Sequence, residues 1–176
     1  MPAKKIAENT LFVSPSVSVK EIVFQKRDGL QFKKEIAVFR PAVVIVAVDE
    51  KKRVLLTREF RPIAGKWVWH LPAGKIDHPV PPLQQAKNEL AEEGHVKAKH
   101  WKKIHEFKPT GNDYKRVFFY LATGLSATDT ECGLDEEIVC TRVPLPTAQK
   151  MALEGRFNHP AVAFAVLRAA FIVRKK

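Results

Sequence analysis

Between residues 71 and 96 the chain reads LPAGKIDHPVPPLQQAKNELAEEGHV, a Gly-containing turn followed by a stretch with one natural local structure. Pro82 suits the first turn of a helix, where its missing N–H would have no intrahelical partner, and residues 83–93 contain neither Gly nor Pro. The pattern predicts a helix over 82–93. On it Leu83, Ala86 and Leu90 fall at i, i+3 and i+7 and are expected to face a core. Glu89, Glu92 and Glu93 fall at i, i+3 and i+4 on another face, so their carboxylates are expected to converge. Like charges at that spacing repel by roughly 0.2–0.5 kcal/mol per pair, which a cation held between them would relieve. Hard oxygen ligands favour Mg²⁺ or Mn²⁺. Glu-Glu pairs also decorate many solvated helix faces, so the loop before the helix carries much of the weight.

The rest of the chain supplies strands for this helix to cover. Residues 17–24 and 30–40 alternate as strands do, and Arg27-Asp28-Gly29 between them is a hairpin signal because Asp-Gly tolerates positive φ. Pro41 breaks the chain before the apolar, β-branched run 42–48; residues 49–52 turn it into 53–60, and both read as central strands. Further strands are expected at 117–122 and 138–143, and helices at 147–153 and 160–173. The expected fold class is α/β, a mixed β-sheet sandwiched between helices. Residues 1–40 form an N-terminal hairpin extension and 41–176 the main domain.

Composition narrows the function classes. At 176 residues and 45% hydrophobic content the chain can bury one good core. Its longest apolar run, 161–173, is interrupted by Arg168 and falls short of the ~20 residues needed to span a bilayer, so no membrane role is expected. The start, MPAKKIAENT, lacks a charged region followed by an apolar stretch, and a cytoplasmic location is the expectation. Cys132 and Cys140 are too few for a disulfide framework and read as reduced bystanders. An excess of 30 Lys and Arg over 19 Asp and Glu favours polyanionic partners, but the basic residues are scattered. That arrangement reads as a solvated surface, with RNA possible but not favoured.

Counted without a gap from Gly74, residues Glu89, Leu90, Glu92, Glu93 and Val96 occupy the E, U, E, E and final U of G-x5-E-x7-R-E-U-x-E-E-x-G-U, where U is bulky and apolar. The chain thereby resembles the Nudix hydrolases. LPAGKID, RVLLTREFRP, FFYLATGL and DEEIVCTRVPL are similar to the ADP-ribose pyrophosphatase branch, over about residues 19–170. The resemblance implies the Nudix fold and Mg²⁺- or Mn²⁺-dependent hydrolysis, with water as nucleophile, of a diphosphate joined to another group. ADP-ribose or another nucleoside-diphosphate sugar is the implied substrate, giving a nucleoside monophosphate and a sugar phosphate. It assigns Glu89 and Glu93 as direct metal ligands, Glu92 as a direct or water-mediated one, and the Ala73 carbonyl as a further donor. Gly74 would let that backbone approach closely. Arg58 and Arg61 in REFR are the implied phosphate contacts, since guanidinium forks match diphosphate oxygens. Glu136 on a loop before a late strand is the implied general base, with Glu92 or Glu93 as alternatives. The N-terminal hairpin would reach a second subunit, making a homodimer.

Four positions depart from this pattern. Val80 stands where the first Glu belongs, Asn88 replaces the Arg, His95 replaces the second Gly, and His70 replaces a Glu common in the branch. Asn88 can neither carry charge nor form a bidentate fork, so catalysis is expected to be weakened. Gly94, one position before His95, is expected to supply the turn at the helix end. His70 could shift metal preference toward softer ions. The competing reading is a catalytically impaired Nudix-fold module that binds nucleotide, RNA or a protein partner.

Overall fold

Seven consecutive apolar residues, AVVIVAV, have no polar side chain to offer water on either face, and they form a strand buried along its whole length. This strand organises the larger part of the computed structural model, which describes residues 2–77, 79–128 and 138–174. In chain order the elements are β1 (Lys4–Val13), β2 (Val17–Gln25), β3 (Gln31–Phe39), β4 (Ala42–Val48), β5 (Arg53–Arg61), a 3₁₀ turn at Pro62–Ala64, β6 (Lys66–His70), β7 (Ala73–Lys75), α1 (Pro82–Glu92), β8 (Val96–Phe107), β9 (Asp113–Tyr114), β10 (Val117–Ala127), β11 (Ile138–Pro144), α2 (Leu145–Leu153) and α3 (Pro160–Arg174). They fall into two compact units, one of Met1–Pro41 with Phe107–Val117 and one of Ala42–Glu106 with Phe118–Lys176.

The first unit is a sheet in the order β1-β2-β3-β9. The hairpin read at Arg27-Asp28-Gly29 is present: Gly29 takes φ +85° and the Asp28 carboxylate accepts the Leu30 N–H at 3.0 Å. Strand β1 is an addition to the expected two-stranded hairpin. It runs antiparallel to β2 from Lys4↔Gln25 to Val13↔Ser18, with irregularities between Lys5 and Ala7 and between Thr10 and Phe12. All ten of its residues are exposed, so its polar start carried no burial pattern to read. Glu8 holds it to β2 by pairing with Lys20, and pairs with Lys5 beside it. Strand β9 adds a short parallel edge to β3, Ala37↔Asp113 and Val38↔Tyr114.

The second unit is a seven-stranded sheet with the path β11-β5-β4-β10-β8, β6 pairing with β5 and β7 with β4. One core gathers Val43, Ile45 and Ala47 of β4, Leu55 of β5, Ala86 and Leu90 of α1, and Phe118, Tyr120 and Ala122 of β10. Strand alternation sends Val44 and Val46 to the other face. Helix α3 also packs on β4, burying a small-residue stripe of Ala161, Val162, Ala165, Val166, Ala169 and Ala170. Helix α1 begins at Pro82 as expected, but Leu83 does not face the core: it is 38% exposed, and Gln85 is buried instead. Strand β8 is a second addition. It lies at the sheet edge, where only Val96 and Ile104 are buried and lysines occupy the outer positions, as edges that resist further pairing do. No helix among the described residues is long and apolar enough to cross a membrane.

Candidate active site

The loop LPAG is tied to the core by backbone pairing. Val43 opposes Gly74 and Val44 opposes Ala73 across β4 and β7, while the Ile45 N–H donates to the Pro72 carbonyl at 2.9 Å. Opposite this backbone lies the C-terminal half of α1. Glu93, just past the helix end and only 7% exposed, accepts the Ala73 N–H on Oε2 at 2.9 Å. Glu89 is half-buried, accepts the Gln85 side-chain amide at 2.8 Å, and rests against Gly74. A Cβ at Gly74 would overlap the Glu89 carboxylate, leaving even its farther oxygen 2.6 Å away. Gly74 is therefore required for room rather than for unusual dihedrals.

Ala73, Gly74, Glu89 and Glu93 are thus brought together, while Glu92 is exposed. Among the described residues no three His, Cys, Asp or Glu side chains gather closely enough to hold a metal ion. The expected gathering of Glu89, Glu92 and Glu93 is not formed among them, and Glu92, at i+3 from Glu89, is exposed. The remaining donors, two carboxylates in a cradle whose floor has no space for a Cβ, are hard oxygens that fit a divalent ion such as Mg²⁺.

Helix α1 is supported differently from the motif. Asn88 accepts the Gln84 amide at 2.9 Å along the exposed side, and the residue that holds Glu89 is Gln85, one turn before it. The i, i+4 spacing of Gln85 and Glu89 is present in the sequence, but a polar residue occupies the buried place that apolar patterning gives to Leu83. At the helix end His95 itself adopts φ +50°, so Gly94 does not supply the turn. Gly94 answers a packing demand: a Cβ there would come within 2.6 Å of the Leu90 carbonyl and 2.8 Å of Leu55 Cδ2. Cys140 is no bystander. Its thiol donates to the Glu93 carbonyl at 2.7 Å, linking β11 to the end of the acidic helix.

The arginines lie on the β5–β6 hairpin, each already engaged. Arg58 is exposed, with its guanidinium carbon 5.9 Å from the Trp67 ring centre and 5.7 Å from that of Trp69. Arg61 pairs with Glu59. On the strand face that Arg61 shares sits a polar group that the sequence did not reveal. Glu59 is buried and accepts the Thr57 hydroxyl at 3.4 Å, and burial raises its carboxyl above the usual range against the opposing charge of Arg61. His70 Nδ1 lies 3.8 Å from Glu59 Oε1 and 2.7 Å from the Leu71 carbonyl, which can only accept, so Nδ1 carries the hydrogen. Glu136 and Cys132 lie outside the described residues.

The NUDIX domain model matches residues 38–162. An ADP-ribose pyrophosphatase of Bacillus subtilis (strain 168) is 26% identical over 166 residues, 93% of this chain and 90% of that protein. One from Mycobacterium tuberculosis (strain ATCC 25618 / H37Rv) is 32% identical over 127 residues, 69% of this chain and 61% of that protein. A crystal structure of an ADP compounds hydrolase superposes with a TM-score of 0.85 at 18% identity, covering 99% of this chain and 96% of the other, and so shows the same fold.

Proposed function

Because the chain belongs to the NUDIX domain family, we propose that it hydrolyses the diphosphate linkage of ADP-ribose or another nucleoside-diphosphate sugar with Mg²⁺ or Mn²⁺. The products are a nucleoside monophosphate and a sugar phosphate, water supplying one oxygen and two hydrogens. The observation that carries the reading is the juxtaposition of Ala73, Gly74, Glu89 and Glu93 across β7 and α1. Relatives named as ADP-ribose pyrophosphatases support the substrate class.

Glu89, Glu93 and the Ala73 carbonyl would hold the ion, with Glu92 reaching it from solvent. The bound ion supplies charge neutralisation on the phosphoryl oxygens and a lowered pKa for water. Glu93 also locks the loop by accepting the Ala73 N–H, so one side chain ties the metal cradle to the backbone beneath it. Glu136 serves as general base, with Glu92 or Glu93 as substitutes. Arg58 and Arg61 bind the diphosphate by exchanging their tryptophan and Glu59 contacts for substrate oxygens. The chain acts as a homodimer, a reading supported by the exposed Ile6, Leu11, Phe12 and Val13 on β1 and tested by mass in solution.

The alternative, a binding module with impaired turnover, draws on Asn88, which bonds Gln84 in place of an acid. Product release from ADP-ribose and a panel of nucleotide sugars, with Mg²⁺ and then Mn²⁺, separates the two. Metal-dependent turnover lost in Glu93→Gln supports the hydrolase; tight binding without turnover above that control supports the module.

A further inference from the structure

A cavity of about 700 Å³ opens at the Val48 end of β4, within the size range of small-molecule sites. Gly74 pairs with Val43 at one end of that strand, and the cavity is lined by Val48 five residues on, roughly 16 Å at 3.3 Å per residue. Leu121 of β10 and Ile172 and Val173 of α3 complete an apolar wall with Val48. Trp101 of β8 also borders the cavity, its indole packed edge-on against Tyr120 with ring centres 6.3 Å apart and its N–H donating to the Ala98 carbonyl at 3.1 Å.

The mouth is charged differently. Lys52 and Lys102 both line it, both are exposed, and neither makes an ion pair among the described residues. Asp49 at the same edge is neutralised by Arg53, which binds it through Nε and Nη2 at 2.8 Å each, leaving Glu50 as the single acid opposing two ammonium groups. Lys52 occupies the left-handed region at φ +56°, a position that favours glycine, so a lysine is kept there at a backbone cost.

We propose that this cavity is a second ligand site, separate from the diphosphate site, that takes an amphipathic anion: an apolar body against Leu121, Ile172 and Val173, with a carboxylate or sulfonate held by Lys52 and Lys102. Titration of the full chain with 8-anilinonaphthalene-1-sulfonate tests it, with decanoate as competitor to distinguish an aryl from an acyl body. Saturable binding of one probe per chain is expected. Affinity should fall at least about tenfold in Lys52→Glu/Lys102→Glu, the scale of a lost hydrogen bond to a charged group. Val173→Trp, which fills the cleft without removing charge, should weaken binding as well, and ADP-ribose turnover without probe should be unchanged in both variants. Displacement by decanoate assigns an acyl-accepting site; binding without displacement assigns an aryl-selective one. Absence of saturable binding, or binding that neither variant weakens, overturns the proposal.

Discussion

Gly74→Ala separates the proposed chemistry from the stability of the fold. The main chain at Gly74 does not lie in the left-handed region, so alanine can adopt its dihedrals. Removing glycine from the unfolded ensemble is by itself stabilising by about 0.4–1 kcal/mol. The new Cβ, however, lands on the Glu89 carboxylate. Ordinary contact begins near 3.4 Å and the farther oxygen would sit at 2.6 Å, so that oxygen must retreat by about 0.8 Å and the nearer one by more. Glu89 is the far end of a flexible side chain and can swing away at little cost to folding, but it then leaves Gln85 and the cradle. A misplacement of about 1 Å in a catalytic group is worth about 100-fold in rate, or about 2.7 kcal/mol of transition-state stabilisation. The expected outcome is Mg²⁺-dependent hydrolysis of ADP-ribose reduced by about two orders of magnitude, with a melting temperature equal to wild type or slightly higher. Hydrolysis within threefold of wild type would refute the reasoning, since Glu89 would then not be needed where Gly74 places it. A melting temperature lowered by many degrees would refute the claim that Glu89 yields easily.

Glu93→Gln keeps an acceptor for the Ala73 N–H but loses the charge, so folding should persist while metal-dependent turnover falls at least about 100-fold, checked by product release beside circular dichroism. His95→Gly relieves the left-handed backbone at φ +50° and should gain about 1 kcal/mol, a rise of about 2–4 °C in Tm by calorimetry. Cys140→Ala removes the thiol donor to the Glu93 carbonyl and should cost about 1 kcal/mol and several-fold in kcat, with Cys140→Ser recovering part of both. Glu59 tests the pH dependence. Its carboxyl is raised in the folded state by burial, so the folded chain holds its proton more tightly than the unfolded one does. That contribution to stability is fully present below about 4.5 and is lost as pH rises through the folded-state value. Tm measured from pH 4 to pH 8 should therefore shift in favour of Glu59→Gln as pH rises, and a difference that stays flat or reverses would remove burial as the governing cause.

What the sequence disclosed and what it concealed follow a physical division. Strand β4 and the helix at Pro82 were legible because burial on both faces, or a start signal with uninterrupted helix formers, leaves its mark in composition. The Gly74–Glu89–Glu93 grouping was legible through the spacing of a motif. Strand β1 was not, because every one of its side chains is exposed and nothing selects an apolar alternation. Strand β8 hid for a related reason: an edge rich in lysine reads as a charged surface until its hydrogen-bonding neighbour is known. Leu83 departs from its expected burial because a helix at a sheet buries a narrower stripe than its apolar count suggests, and Gln85 shares that stripe by satisfying its amide on Glu89. The roles of Cys140 and Glu59 depend on partners 47 and 2 residues away, and neither separation has a sequence signature.

The pairing of β7 with β4 bears on how this protein fails. Loops that carry chemistry are usually the first parts of a domain to open, because their amides are held by few bonds. Here the amide of Ala73 is bonded to Glu93, Ile45 donates to Pro72, and the short strand Ala73–Lys75 lies in register on the most deeply buried strand of its unit. Exchange of this loop's amides with solvent deuterium should therefore be as slow as that of β4 itself. Heating should destroy the cradle and the core in one event, so that inactivation and loss of secondary structure trace the same curve.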